Sequence, residues 1–544
     1  MNKVLKGLVA VVSTAAMAIA GFAGAASATA APETATTITI NNASIGDQYA
    51  IYRLFDETET DAAEGGAAHV AYQKRTDWNH YSVIANAIKT VNPSSTVAEN
   101  SKVDDFVAAI GAFTAAQTKT FAEKVYASLK NASVDADRTS GSLTSESYTF
   151  SNVAQGYYLI VQTAASGDAG KTMSAVITDT AGKNGVTVST KKDTVTVEKK
   201  VQENQDGIND PATNNWGTAA DYNIGDKVSF KETGSLPTDY GDYDTYEYVF
   251  HDIQSSGLTF NPDSVKMYAD NDGVETEIAS SSYSVLTKST TPEVSGGNTF
   301  DVKFADLKAA TAASAGDALS ITASTKIVVK YDSTLNDNAV FGKNGNPNEV
   351  YLEFSNNKYG EGTGNTEHHK VTVFTFKLTV SKYGDSVADA NKLKGAGFTL
   401  FRSTSQSGSY TKVGEEVVNP SGNTFDFTGL DSGYYKLVET TTPAGYNTID
   451  PILFTVTATY STDNEPGTLT DLTVTGPAGQ TFATDIDTGE AGNAQITTDV
   501  VDKSGSKLPF TGGMGTTILY AAGAAIVLVA AFGIAFAVRR RNAR

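Results

Sequence analysis

Short runs in which apolar and polar residues alternate recur along most of the chain. Val, Ile, Thr, Tyr and Phe fill these runs, and Gly, Asn and Asp separate them. Alternation with a period of two is typical of a strand that buries one face. The clearest runs are residues 194–197, 326–330 and 371–376. The pattern predicts a mainly β protein built from many short strands.

One region near the N-terminus follows a helical period instead. Residues 77–91 and 103–131 are rich in alanine, and their apolar residues recur at helical spacing. In the second segment these positions are Val103, Phe106, Val107, Ile110 and Phe113. We expect this helical insert to pack as a layer on the first domain rather than to serve as a binding helix.

Both ends of the chain carry apolar stretches that are typical of export and membrane insertion. Lys3 and Lys6 precede an apolar run over residues 8–26, and the small residues after it predict a cleaved signal peptide over residues 1–30. Residues 518–538 carry no charge and are long enough to cross a bilayer as a helix. The arginines at 539–541 mark the cytoplasmic side. The sequence therefore predicts a secreted protein whose precursor is anchored in the membrane.

The chain is acidic, with 41 basic residues, 61 acidic residues and a formal net charge of -20. Such a surface repels nucleic acid, so no nucleic-acid partner is expected. The chain has no cysteine. Because an exported protein of this kind cannot use disulfides, any covalent reinforcement must come from other side chains.

The sequence lacks motifs for an enzyme, a cofactor or a metal. No nucleophile elbow, phosphate loop or zinc-ligand cluster occurs. His368 and His369 are adjacent, so on a strand they point to opposite faces. The acidic segments 239–244 and 263–272 do not follow an EF-hand pattern, and we interpret them as solvated turns. We therefore expect no enzymatic activity, no cofactor and no metal site.

An internal repeat divides the chain. Residues 150–162 align with residues 427–439, and each copy begins with Phe and contains Gly-Tyr-Tyr. The sequence between the two copies follows a different pattern. The repeat predicts two domains of one type on either side of a different middle domain.

The pentapeptide Leu508-Pro509-Phe510-Thr511-Gly512, followed by the membrane span and the basic tail, resembles the cell-wall sorting signal of Gram-positive surface proteins. In that family a sortase cleaves between the threonine and the glycine, here Thr511 and Gly512. The threonine carbonyl is then joined to an amine. The resemblance implies that the mature chain becomes covalently attached to the cell wall.

A second resemblance lies in the middle and the last third of the chain. Residues 395–400, 433–439 and 443–446 are similar to collagen-adhesin B-type domains of Gram-positive pilins, and residues 220–226, 248–252, 257–260 and 348–357 resemble the second domain of fimbrial backbone subunits. The implied fold is mainly β, with tandem immunoglobulin-like β-sandwich domains of collagen-adhesin A and B type. The implied segments are a signal peptide (1–30), an N-terminal pilin domain with the helical insert (31–192), an isopeptide-forming fimbrial D2 domain (193–370), a collagen-adhesin B-type, prealbumin-like domain (371–506) and an LPXTG sorting signal with a transmembrane helix (507–544).

Domains of this family form intramolecular isopeptide bonds between a lysine and an Asn or Asp side chain, assisted by a buried acid. In the second domain, alternation points Lys199 inward and Lys200 outward. The resemblance then implies Asn348 as the acceptor and Asp252 as the assisting acid. We expect burial to lower the pKa of the lysine and to keep the acid protonated. The alternative acceptors close by are Asn346, Asn356 and Asn357.

The third domain offers Lys382, Glu439 and Asp502 at the corresponding positions. Related chains more often have Asn in place of Asp502, so condensation here would release water rather than ammonia. The alternative is that Asp502 leaves this domain without a cross-link. In the first domain Gln162 occupies the position of Glu439 and cannot act as an acid or a base. We therefore expect no isopeptide bond in the first domain, and we expect it to be the least stable of the three.

Backbone pilins also carry a lysine that accepts the threonine of the next subunit, in a Val-x-Val-Tyr-Pro-Lys motif near the end of the first domain. Residues 186–191 keep the valines and Lys191 but lack Tyr-Pro. Lys192 is the second choice, and a solvated Lys-Lys pair is the alternative. The resemblance implies a structural subunit of a covalent fimbria that supports adhesion. Its implied partners are a pilus-specific and a housekeeping sortase, identical subunits, tip and base pilins, and peptidoglycan.

A different function remains open at this point. The chain could instead be a monomeric wall-anchored adhesin or minor pilin whose domains bind a host surface ligand. The use of Lys191 as an acceptor distinguishes the two functions.

Overall fold

The computed structural model describes residues 35–60, 69–164, 175–180, 183–189, 194–204, 216–290, 294, 297–315, 317–358, 362–461, 465–486, 495–505 and 514–541. Within them the strands form six sheets in three pairs, over residues 35–189, 197–374 and 376–504, which we term the first, second and third domains. Apolar side chains fill the space between the paired sheets. The mainly β fold predicted from the alternation is confirmed, and so is the helical insert.

The first domain combines two sheets with a helical layer. Its elements are β1 Ala35–Asn41, β2 Gln48–Thr60, β3 His69–Gln73, α1 Tyr81–Val91, α2 Val103–Gly111, α3 Ala115–Asn131, β4 Arg138–Thr139, β5 Ser147–Ala154, β6 Gly156–Ala164, β7 Ala175–Asp179 and β8 Val186–Ser189. The strand orders are β5-β1-β8 and β3-β2-β6-β7, and β4 pairs with β2. Phe121 and Val125 of α3 share a core with Leu54 of β2, so the insert packs on the sheet. A capping box between Thr114 and Gln117 begins α3 and separates it from α2.

Among the described residues, the second domain contains the longest single strand and the most strands. Its elements are β9 Val197–Gln202, β10 Trp216–Gly217, β11 Ala219–Asp221, β12 Lys227–Gly234, β13 Tyr248–Gln254, β14 Leu258–Asn271, β15 Val274–Glu277, β16 Ser284–Thr287, β17 Phe300–Phe304, β18 Lys326–Leu335, β19 Asn346–Ser355, β20 Thr363–Asn365 and β21 His369–Phe374. One sheet has the order β10-β9-β12-β18-β14-β15, the other β11-β21-β19-β13-β17-β16, with β20 beside β19. Because β21 pairs with β19 up to Val373, the sheet pairing assigns residues 371–374 to this domain rather than to the third.

The third domain is a smaller pair of sheets. Its elements are β22 Phe376–Gly384, β23 Gly397–Ser403, β24 Thr411–Val418, β25 Thr424–Leu430, β26 Gly433–Thr441, β27 Tyr446–Asn447, β28 Ile452–Ser461, β29 Thr468–Thr475, β30 Phe482–Asp485 and β31 Gln495–Ser504. The strand orders are β25-β22-β31-β27, with β30 beside β31, and β24-β23-β26-β28-β29.

The internal repeat occupies equivalent pairs of consecutive strands, β5 with β6 and β25 with β26, each of which passes from one sheet to the other. In the first domain β1 pairs antiparallel with β5 and parallel with β8, and in the third β22 pairs in the same way with β25 and β31. Ile38 faces Phe150, and Leu378 faces Phe427, the first residues of the two repeat copies. This shared register allows positions in the two domains to be compared residue by residue.

One described helix is long and apolar enough to cross a membrane. It is α4, Met514–Arg541, whose apolar part begins at Ile518 and whose last turn carries Arg539, Arg540 and Arg541. An apolar C-terminal helix was predicted from the same residues. The assignment of α4 as a candidate membrane span rests on the length and composition of the helix alone.

Candidate functional site: two buried lysine clusters

A lysine without solvent exposure lies in the core of the second domain. On β9 the side chains alternate, so that Val197, Lys199 and Val201 face the core while Lys200 points outward and pairs with Glu198. Lys199 is 0% exposed. Aromatic rings enclose its ammonium group, with the ring centroid of Tyr331 5.3 Å from Nζ. An ammonium group in such a site requires partners, because transfer of an unpaired charge from water to an apolar core is very costly.

Four polar side chains meet around the Lys199 ammonium group. Its Nζ donates to Glu232 Oε1 at 2.6 Å, to Asp252 Oδ2 at 2.5 Å and to the Tyr331 hydroxyl at 2.9 Å. The Tyr331 hydroxyl in turn donates to Asp252 Oδ2 at 2.5 Å and accepts from Asn348 Nδ2 at 2.8 Å. All four partners are buried. The structure thus brings Lys199, Asp252 and Asn348, selected from the sequence, into one cluster.

The cluster spans both sheets of the second domain. Lys199 lies on β9, in the sheet that also contains β12 and β18, whereas Asp252 and Asn348 lie on β13 and β19 of the opposite sheet. In the β13–β19 register Gln254 lies opposite Asn348. Asp252 precedes Gln254 by two residues on β13, so its side chain lies on the same face of the sheet as that of Asn348. A covalent bond between Lys199 and Asn348 would therefore join the two sheets directly.

Two members of this cluster were missed in the sequence. Glu232 follows Val228 and Phe230 on the inward face of β12, and it lies opposite Lys199 in the β9–β12 register. Tyr331 follows Val329 on the inward face of β18. Both positions could have been found by asking which polar residues occupy inward positions of an alternating strand. The cross-strand register that aligns them with Lys199 is a property of the folded sheet.

The charges in this cluster differ from the expectation for an isolated buried lysine. Burial lowers the pKa of Lys199, but the Asp252 and Glu232 carboxylates outweigh burial and raise it above the ordinary value. The prediction of a lowered lysine pKa was therefore wrong, because it considered one assisting acid where the site has two. Burial and repulsion from Asp252 raise the pKa of Glu232 to about 8, although Lys199 opposes this shift. This shift makes Glu232 a ready acceptor for a proton that Lys199 releases.

The third domain contains a second buried cluster of a lysine and two acids. Lys382 Nζ lies 2.9 Å from Glu439 Oε1 and donates to Asp502 Oδ1. Lys382 and Asp502 lie on the adjacent parallel strands β22 and β31, and Glu439 reaches them from β26 of the opposite sheet. Burial and repulsion from Glu439 raise the pKa of Asp502 to about 6, although Lys382 opposes this shift. A covalent bond between Lys382 and Asp502 would join the first and last strands of the domain.

The first domain has neutral side chains at two of the three equivalent positions. Gln162 is buried on β6 and takes the place of Glu439 in the aligned repeat. Asn42 follows Ile38 by four residues, just as Lys382 follows Leu378, but it lies one residue beyond β1 and is exposed. The position that corresponds in sequence to the nucleophile therefore holds an exposed amide instead of a buried lysine, which supports the prediction that this domain forms no isopeptide bond.

Several residues selected from the sequence lie outside the described residues. They are the signal peptide over residues 1–30, the acceptor candidates Lys191 and Lys192, and the sorting motif Leu508, Pro509, Phe510, Thr511 and Gly512. These predictions rest on the sequence alone.

A third cluster, of two buried acids and one half-buried acid, lies where the second and third domains meet. Glu203, Asp221 and Asp431 approach closely enough to share one cation, and they are the one such group of three acidic or histidine side chains among the described residues. Asp221 Oδ2 accepts from the Ser432 backbone N at 2.8 Å, and Asp431 Oδ2 accepts from Arg402 at 2.9 Å. Burial raises the pKa of all three acids, and repulsion from Asp221 adds to the shifts of Glu203 and Asp431.

The acidic cluster predicts a pH dependence of stability. An acid whose pKa is raised in the folded state stabilises the protein fully below its unfolded pKa, about 4, and this stabilisation fades as the pH rises through the folded pKa. We expect Asp221→Asn to reduce the loss of melting temperature between pH 5 and pH 8, because the amide needs no proton. Scanning calorimetry at both values tests this, with exposed Asp426→Asn as the control. Equal pH slopes for Asp221→Asn and the unchanged protein would contradict the expectation.

Known proteins resemble this chain in part of its sequence and in its fold. Residues 376–471 match the family model of the SpaA prealbumin-like fold domain. No curated protein sequence matches the chain. The T6 backbone pilin of serotype M6 Streptococcus pyogenes, described as a modular three-domain structure, shares 16% identity with a TM-score of 0.51, over 88% of this chain and 100% of that one.

Two further solved structures are similar at lower TM-scores. The full-length major pilin SpaD from Corynebacterium diphtheriae has 16% identity and a TM-score of 0.46, over 87% of this chain and 98% of that one. The group B streptococcus pilus 2b backbone protein has 23% identity and a TM-score of 0.35, over 53% and 97%. The chain thus has the fold of the T6 backbone pilin, and its residues 376–471 form a SpaA-type prealbumin-like domain.

Proposed function

We propose that the chain is the structural backbone subunit of a covalent, sortase-assembled pilus on a Gram-positive cell surface. The observation that carries this proposal is the pair of buried lysine clusters. Lys382 contacts both its acceptor and its acid. Lys199 contacts its acid directly, and the Tyr331 hydroxyl bridges it to the acceptor Asn348. Such clusters support internal cross-links that let a subunit bear tension along a shaft. The similarity to the T6 backbone pilin supports the same role.

The proposed internal bonds form by condensation within each domain. In the second domain Lys199 first passes a proton to an adjacent carboxylate, and its Nζ then attacks Cγ of Asn348. The new Nζ–Cγ amide bond replaces the Cγ–Nδ2 bond, and ammonia leaves. In the third domain Lys382 Nζ attacks Cγ of Asp502 beside Glu439, and water leaves. Relative to the sequence, the mass should fall by about 17 Da for the first bond and about 18 Da for the second.

The proposed assembly uses both ends of the chain. Residues 1–30 direct export, and α4 holds the precursor in the membrane until a sortase cleaves between Thr511 and Gly512. The Thr511 carbonyl is then joined to Lys191 of the next subunit, or to peptidoglycan at the base of the pilus. The only chemistry that the chain performs on this proposal is its own cross-linking, once per molecule.

An immunoblot of denatured wall extracts tests the proposed polymer. We expect the unchanged chain to give a ladder of high-mass bands, and Lys191→Ala to reduce it to monomer, because the acceptor amine is lost. The adjacent Lys192→Ala serves as the matched control and should keep the ladder. A ladder lost only in Lys192→Ala would move the acceptor by one residue. A monomer in the unchanged chain would instead favour a wall-anchored adhesin.

A further inference from the structure

The hydroxyl group of Tyr331 contacts the nucleophile, an acid and the acceptor of the second domain. Lys199 Nζ lies 2.9 Å away, Asp252 Oδ2 2.5 Å away and Asn348 Nδ2 2.8 Å away. The phenol is also held in place by its neighbours. Its ring stacks on Phe230 at 5.3 Å and meets the edge of Phe300 at 4.9 Å.

The proposed condensation needs a proton at one particular atom. When the amide of Asn348 is replaced, its nitrogen must leave as ammonia, because an amide anion is a very poor leaving group. The proton that Lys199 releases arrives on Asp252 or Glu232. Nδ2 of Asn348 hydrogen-bonds the Tyr331 hydroxyl, and that hydroxyl donates to Asp252. The phenol therefore lies between the acid that holds the proton and the nitrogen that requires it.

We propose that Tyr331 is a catalytic residue that relays the proton from Asp252 to the leaving nitrogen of Asn348. The Tyr331 hydroxyl gives its proton to Nδ2 as the Cγ–Nδ2 bond breaks, and it takes the proton of the Asp252 carboxyl at the same time. Ammonia leaves, the phenol is restored, and Asp252 is again a carboxylate that can accept the second lysine proton. This inference rests on the proposed Lys199–Asn348 bond.

The third domain supplies a natural comparison for this role. The ring centroid of Phe398 lies 5.3 Å from Lys382 Nζ, the same separation as that between Tyr331 and Lys199. Phenylalanine has no hydroxyl, and the acceptor there is the carboxyl of Asp502, which loses water. Oxygen leaves more easily than nitrogen, so this cluster can react without a relay. Of the three rings that lie against the two ammonium groups, Tyr331, Phe230 and Phe398, the one with a hydroxyl lies in the domain whose acceptor loses nitrogen.

The test is Tyr331→Phe in the ectodomain, which keeps both ring contacts. Protein made by cell-free synthesis is sampled over time, and intact mass together with peptide mapping follows each bond separately. We expect the second-domain loss to form roughly 100-fold more slowly, a typical contribution of a positioned proton donor. The third-domain loss should form at the unchanged rate and shows that the variant folds. An unchanged rate in the second domain would overturn the proposal.

Asn348→Asp separates proton relay from packing. With a carboxyl acceptor, water becomes the leaving group, so Tyr331→Phe should slow this variant far less than it slows the natural chain. Equal slowing in both backgrounds would assign Tyr331 a packing role and overturn the relay, as would an Asn348→Asp chain that forms no bond. If the unchanged chain lacks the loss of about 17 Da, the proposed bond itself fails, which is a distinct result.

Discussion

Lys199→Met should remove the cross-link between the two sheets of the second domain and destabilise that domain more than any other single change. The cross-link closes a loop of about 150 residues, and its loss costs about 5 kcal/mol in the chain-entropy model. In the cross-linked chain Lys199 Nζ is already a neutral amide, so the change removes no cation from Glu232 and Asp252. This loss corresponds to a melting temperature lower by about 10–20 °C for a domain of this size.

Intact mass and scanning calorimetry of the ectodomain measure both consequences of Lys199→Met. The mass deficit of the second domain, about 17 Da, should disappear while that of the third domain remains. Lys200→Met is the matched control, since Lys200 lies on the same strand, points outward and pairs with Glu198. It should keep both deficits and the melting temperature. A Lys199→Met chain that retains the second-domain deficit would place the bond on another lysine.

The alternation of single strands made part of this cluster predictable. The period of two fixes which side of β9 faces the core, so the inward position of Lys199 could be read without knowledge of its neighbours. The choice of acceptor could not be settled in this way, because Asn346 and Asn348 both face inward on β19. In the structure Asn346 bonds the backbone of Val340 and Val373, whereas Asn348 reaches Tyr331. Which of the two meets the lysine depends on how the sheets are superposed.

The electrostatics of the cluster were less predictable than its position. A lysine considered with one acid in an apolar core is expected to lose its proton. Glu232 changes the balance, because a second carboxylate opposite Lys199 stabilises the ammonium form. The proton must therefore move within the cluster before the amine can attack. This requirement follows from a cross-strand pairing that no local sequence pattern reveals.

The helical insert was likewise predictable where a local sequence signal exists and unpredictable where the answer depends on tertiary packing. The helical period correctly indicated residues 103–131, yet the structure divides them into α2 and α3. The local signal for this break is the capping box that Thr114 forms with Gln117. The packing of α3 against Leu54 could be expected from its apolar face, whereas the strand that it covers could not.

Glu439→Gln should abolish the third-domain bond while keeping the shape of the cluster. The amide has almost the volume of the carboxyl group but cannot exchange a proton with Lys382 or Asp502. General acid and base catalysis typically contributes about 10²–10⁴-fold, so the bond should form at least 100-fold more slowly. Without it, the loop from Lys382 to Asp502 is open, and the domain loses about 5 kcal/mol of stability. The variant reproduces in the third domain the glutamine that the first domain carries at position 162.

Mass and calorimetry again decide the outcome, with Glu416→Gln as the matched control. Glu416 is exposed and accepts hydrogen bonds from the hydroxyls of Thr440 and Thr441. These two threonines directly follow Glu439 on β26. Its replacement should leave the deficit of about 18 Da intact. In Glu439→Gln the third domain should unfold close to the temperature of the first, because packing alone then holds both domains. A Glu439→Gln chain that keeps its deficit would transfer the acid role to Asp502 itself and remove the reason for expecting the first domain to be the weakest.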